Sequence, residues 1–134
     1  MALASDRVVL TAGDFTTTSA TLVDVTGATV TITTGAHRCL VSVSVSCHLS
    51  STNNYVLDLD IDGVVQGQTL GLIVIKGTNT INNNASFSYL TAALTAASHT
   101  FKLQAFRQTT GTLTVFASTT VTPLVFAVQE INSP

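Results

Sequence analysis

Apolar and polar residues alternate through nearly the whole of this chain, and no stretch sustains a helical period. The plainest run is Arg38-Cys-Leu-Val-Ser-Val-Ser-Val-Ser-Cys-His48, which places Cys39, Val41, Val43, Val45 and Cys47 on one face of a strand. The same period predicts strands near 14–18, 21–26, 28–33, 38–50, 54–62, 64–76, 80–90, 98–107, 111–118 and 121–131. Thr, Val and Ile are abundant throughout, and their β-branched side chains favour a pleated surface. Thr26-Gly27, Thr34-Gly35 and Thr110-Gly111 read as turns. Asp62-Gly63 is the strongest such signal, because a two-residue hairpin needs positive φ and this pair supplies it. Many short strands with close punctuation predict an all-β antiparallel sandwich.

With 134 residues the chain has room for one core. The pattern predicts an N-terminal arm over 1–13, a single β-sandwich domain over 14–131 and a tail over 132–134. Tyr55, Leu57, Leu59 and Ile61 face one way on the strand entering the Asp62-Gly63 turn. On the return strand, Gly67 and Gly71 predict a bulge or bend. Leu70, Leu72 and Val74 alternate there with Gly71, Ile73 and Ile75, so both faces are apolar. One face is expected against a second sheet and the other against a neighbouring subunit. Leu70, Leu72, Ile73, Val74 and Ile75 are therefore interface candidates, joined by His99 and Phe101, which share a register with Leu103 and Ala105.

Composition sharpens that expectation. Charged residues make up 9% of the chain and apolar residues 46%, against about 25% charged in an ordinary soluble domain. Its surface is then wetted by hydroxyls and amides or covered by other chains. The net charge of −2 and the scattered bases Arg7, Arg38, Lys76, Lys102 and Arg107 argue against nucleic acid as a partner. No apolar run is long enough for a membrane-spanning helix. The opening Met1-Ala-Leu-Ala-Ser-Asp-Arg lacks the pattern of a signal peptide, so synthesis in the cytoplasm is expected. Cys39 and Cys47 lie roughly 27 Å apart along one strand at about 3.3 Å per residue. A disulfide needs Cα atoms within about 7 Å, so buried free thiols are expected.

Few constellations carry chemistry. Asp58-Leu-Asp-Ile-Asp-Gly63 looks like the opening of a calcium loop, yet Thr69 stands where the twelfth-position Glu belongs. Asp58, Asp60 and Asp62 form a ladder with carboxylates roughly 6–7 Å apart. A solvated face paired with Lys102 or Arg107 is the expectation, and a metal site at these three residues is the weaker candidate. With no Trp to build a sugar-binding cleft, a carboxylate pair for glycoside hydrolysis is not supported. His37, His48 and His99 show no metal-ligand spacing and read as structural. Asn84-Ala85-Ser86 matches a glycosylation acceptor that has meaning only in a secretory route. No enzyme activity and no cofactor are expected.

The stretch Tyr89-Leu-Thr-Ala-Ala-Leu-Thr-Ala-Ala-Ser-His-Thr-Phe-Lys-Leu-Gln-Ala105 resembles a strand pair of small phage virion proteins with a C1q/TNF-like jelly-roll. Phe15–Gly27, Leu57–Gly63 and Leu124–Glu130 look like further pieces of that pattern, with Ala97 where the family usually has Gly. The resemblance implies a two-sheet jelly-roll that forms a homotrimer on a capsid surface. It points to a capsid decoration (cement) protein of a bacteriophage, sealing capsomer junctions with the major capsid protein as partner. A head- or tail-fibre tip that binds a host receptor or glycan is the alternative. Within the arm, Val8, Val9 and Leu10 are the candidates for capsid docking.

Overall fold

Alternation becomes strands wherever one face can be buried, and the computed structural model shows this over residues 2–132; Met1, Ser133 and Pro134 lie outside the described residues. The strands are β1 (Ser5–Leu10), β2 (Phe15–Thr17), β3 (Val23–Thr33), β4 (Arg38–Leu49), β5 (Asn54–Ile61) and β6 (Val64–Val65). They continue with β7 (Ile73–Lys76), β8 (Asn83–Leu90), β9 (Ser98–Arg107), β10 (Leu113–Val115) and β11 (Leu124–Ile131). No helix occurs among the described residues.

Two antiparallel sheets stack face to face. In the first, β8 pairs with β4, β4 with β11 and β11 with β1, while β10 and β2 continue the sheet beyond the far end of β4. In the second the order is β3-β9-β5, with β6 and β7 both against β5. The long strands fall in the orders β1-β11-β4-β8 and β3-β9-β5-β7, so the chain crosses repeatedly between sheets in the jelly-roll manner. The expected two-sheet jelly-roll sandwich is thus the observed fold.

Between the sheets lies one core. Cys39, Val41, Val43, Val45, Cys47 and Leu49 from β4 meet Leu57, Leu59, Ile61, Phe101 and Leu103 from the second sheet. Both cysteines are buried free thiols, as the strand spacing required. Burial raises Cys39 to about 11, helped by the nearby Glu130 charge, and raises Cys47 to about 12. The 91–97 link between β8 and β9 is a loop.

Three expectations are corrected. The two short strands near 21–33 are one strand, β3, whose register shifts between Asp24 and Thr29, so Thr26-Gly27 makes a bulge rather than a turn. The continuous strand expected over 64–76 is two short pieces, and residues 66–72 fold back against β5. Gln66 N–H donates to Leu59 O at 2.8 Å and Leu72 N–H to Leu57 O at 3.1 Å. Much of 1–13 is sheet: β1 pairs with β11 from Ser5 opposite Gln129 to Leu10 opposite Leu124. Asp62 (φ 54°) and Gly63 (φ 86°) make the tight turn as expected.

Candidate interaction surface

The outward face of the first sheet is built from the positions that alternate with the core. Its strand registers align them in rows. Arg7, Ala127, Ser42 and Ser88 form one row, and Val9, Val125, Ser44 and Ser86 the next. Ser5, Gln129, Leu40 and Leu90 form a third. Short Ser and Ala side chains floor this face while longer ones rim it, so it is shallowly hollowed. One depression of about 440 Å³ lies among Ser5, Arg7, Leu40, Ser42, Ala127 and Gln129, with Asp6 at its margin. A second of about 310 Å³ lies among Ser42, Ser44, Ser86, Ser88 and Val125. Arg7 is the one formal charge in the three rows. Leu90 and Val9 are exposed at the rims.

The second sheet carries Asp58 and Asp60 with Asp62 at its hairpin, and it does not present them as a solvated ladder. Asp58 and Asp60 are buried. The folded-back 66–72 segment covers Asp58, whose Oδ1 accepts from Leu59 N–H at 2.7 Å and Gly67 N–H at 2.9 Å, while Oδ2 has no partner. Burial pushes Asp58 above the usual carboxylate value, and these two amides only partly oppose it. Asp60 accepts from Gly63 N–H at 2.9 Å and so ties the hairpin. Asp62 accepts from Thr100 N–H at 2.8 Å and from His99 Nδ1 at 2.6 Å. The three carboxylates are thus spent on three separate local tasks. Lys102 pairs with Asp24 at 3.2 Å rather than with the ladder, and Gln104 donates to Asp24 at 2.9 Å.

His99 and Phe101 leave the set of interface candidates, because both are buried inside this chain. His99 Nε2 also donates to Thr95 O at 2.8 Å, so the ring satisfies both acceptors only when doubly protonated. Burial opposes that charge, but the Asp62 carboxylate and the Thr95 carbonyl outweigh it and raise His99 above the ordinary histidine value. Leu70 and Val74 are exposed, at 54% and 40%, as are Val64 and Val65 on β6, whereas Leu72, Ile73 and Ile75 are half-buried against the core. Val8 and Leu10 pack against the core, and Val9 faces out.

One constellation was not anticipated from the sequence. Glu130 is buried at the end of β11, where Oε1 accepts from Gly35 N–H and His37 Nδ1, each at 2.7 Å. Its Oε2 accepts from Ala4 N–H at 2.8 Å, and its own N–H donates to Ala4 O at 2.8 Å. The Ala4 amide first, then His37 and Gly35, hold Glu130 below the usual carboxylate value. The chain's single Glu, in a strand apolar but for its neighbour Gln129, was the available signal. Its partners lie 93 to 126 residues away in sequence, beyond the reach of any local pattern.

No family model matches this chain, and no curated protein matches it. Among solved structures, it is similar in backbone to a chain of the structure of infectious bursal disease virus, Gt strain, with 13% sequence identity and a TM-score of 0.49. That alignment covers 96% of this chain and 37% of the viral chain, so this chain spans little more than a third of its length.

Proposed function

We propose that this chain is a structural protein of a virion, a bacteriophage capsid decoration protein that acts as a homotrimer at capsomer junctions. The observation that carries the reading is the outward face of the first sheet, three rows of Ser, Ala, Val, Leu and Gln with Arg7 as their one charge. A surface of that kind gains from being covered by a similarly uncharged protein surface, which removes apolar area without stranding ions. Leu70 and Val74, exposed apolar residues of the 66–72 segment and β7, lie at the β5 edge of the other sheet. Two different patches of this kind suit a head-to-tail contact that closes into a ring. The resemblance of Tyr89–Ala105 and its companion segments to small phage virion proteins adds the class of particle. The role is to cover and hold, with the major capsid protein as partner and no catalysis assigned.

The test is co-sedimentation with shells assembled from a bacteriophage major capsid protein. Saturable binding at a fixed ratio per capsomer, together with a trimeric mass in solution, is the expected result. Binding to a glycan array with no affinity for shells would replace the reading with a receptor-binding fibre tip.

A further inference from the structure

The edges of the two sheets differ in how they are protected. An open edge strand offers unpaired backbone groups to any passing strand, and proteins blunt such edges with charges, bulges, short strands or Pro. The β1 edge carries Asp6 and Arg7. The β3 edge carries Asp24 and a register break. Along β5, the edge is divided between the two-residue β6 and the four-residue β7, which ends in Lys76. The β2 edge is three residues long. By contrast β8, Asn83-Asn-Ala-Ser-Phe-Ser-Tyr-Leu90, is eight residues long with no charge, no Pro, no Gly and an unbroken register against β4.

The groups that β8 leaves open can be identified. Thr91 N–H donates to Cys39 O, in step with the Leu40–Leu90 pairing, so odd-numbered residues of β8 bond towards β4. Antiparallel alternation then points the N–H and C=O of Asn84, Ser86, Ser88 and Leu90 away from the sheet. Among the described residues, none of these groups is paired, and all four residues are exposed.

We propose that β8 pairs with β8 of a second copy of this chain, antiparallel about a twofold axis through Phe87. In that register Ser86 opposes Ser88 and Asn84 opposes Leu90, so all four open residues are hydrogen-bonded at once. Ala85 opposes Tyr89 on the core side, and Phe87 meets its own copy in a non-hydrogen-bonded pair, where Cα atoms approach to about 4.5 Å. An even sum of partner numbers keeps the serine face of both copies on the same side, so the rows of the outward face continue across the axis. No like charges meet, because the strand has none. This contact is independent of the trimer and would link two trimers.

Native mass measurement tests it, alongside Ser86→Pro, which removes an open N–H at both central pairs of the contact, spares the β4 ladder and adds no charge to the outward face. The expected wild-type mass is even-numbered, a hexamer if the trimer also forms and a dimer if it does not. The variant should halve that mass while keeping the far-ultraviolet circular dichroism of the wild type, and its thermal midpoint should no longer rise with protein concentration as the wild-type midpoint does. A wild-type monomer or trimer, or an even assembly untouched by the proline, overturns the proposal, and a trimer that survives either result leaves the decoration reading standing. The register is read by Phe87→Cys, which should form a disulfide with its own copy under mild oxidation, while Cys39 and Cys47 remain buried. Failure of Phe87→Cys to cross-link in an even assembly that the proline does halve would overturn the Phe87 axis.

Discussion

His99 Nδ1 lies 2.6 Å from Asp62 Oδ2, joining the β8–β9 end of the sandwich to the β5–β6 hairpin. With Nε2 on Thr95 O, the imidazolium ties the 91–97 loop to the Asp62 turn at the end of the β5–β9 ladder. His99 is raised in the folded state, so its contribution is full below about pH 6.5, the unfolded value, and is lost as pH rises through the folded value. Asp62 is lowered, chiefly by the His99 hydrogen bond, so its contribution is present above 3.8 and is lost as pH falls through its folded value. The thermal midpoint should therefore fall as pH rises above 6.5. Asp62→Asn should flatten that slope and cost about 1 kcal/mol at pH 6, given its exposure. Circular-dichroism melts from pH 5 to 9 check this, and an unchanged slope in the variant would count against the bridge.

Glu130 fastens the start of β1 to the 34–37 turn. Glu130→Gln keeps the size but turns an NH₂ group towards one of the amide donors at Ala4 or Gly35. Amides of Ser5–Leu10 should then exchange with solvent roughly tenfold faster, while those of β4 and β9 stay protected. Since Glu130 is held low, the same loosening should develop in the wild type as pH falls below 4.5 through its folded value. Hydrogen exchange read by mass spectrometry decides it.

Asp58 is raised by burial, so its ionised form opposes folding and stability should decline as pH climbs from 3.8 through the folded value. Asp58→Asn keeps an acceptor for Leu59 and Gly67 and removes the buried charge, so its unfolding midpoint at pH 7 should equal or exceed that of the wild type. Asp58→Ala leaves those amides without their acceptor and should cost about 1–3 kcal/mol. Urea titrations of both variants at pH 4 and 7 provide the comparison.

Gly71 sits at φ 73°, and a β-carbon there would collide with the Val56 side chain and lie 3.0 Å from Leu57 O. Gly71→Ala should cost about 2–4 kcal/mol, from strain and overpacking together. At Gly63, where φ is 86° and a β-carbon meets open space, alanine should cost about 1 kcal/mol. Equal losses at the two sites would show that the close seat of 66–72 on β5 does not matter.

The buried thiols should be silent. With Cys39 raised to about 11, roughly one group in a thousand is ionised at pH 8, and fewer at Cys47. A colorimetric thiol reagent should find neither in the folded protein and both in denaturant. Rapid labelling of the native chain would contradict the packing of β4.

What the sequence determined by itself was everything that rests on a period of two. The alternation of Cys39 to Cys47 fixed which face of β4 is buried, and Asp62-Gly63 fixed the tight turn, because each is a property of a few adjacent residues. Tyr55, Leu57, Leu59 and Ile61 fell on the core side for the same reason. Tertiary structure decided what lies on the other face of each strand. Asp58 and Asp60 alternate as a solvated ladder would, yet residues 66–72 fold over β5 onto Asp58, and Asp60 is buried beside the hairpin it ties. His99 and Phe101 went to this chain's own core, and β1 joined the sheet through an eleventh strand that arrives more than a hundred residues later. Local pattern records which side of a strand is apolar. Which neighbour covers it is set by long-range pairing and loop placement, and those come from the whole chain closing on itself.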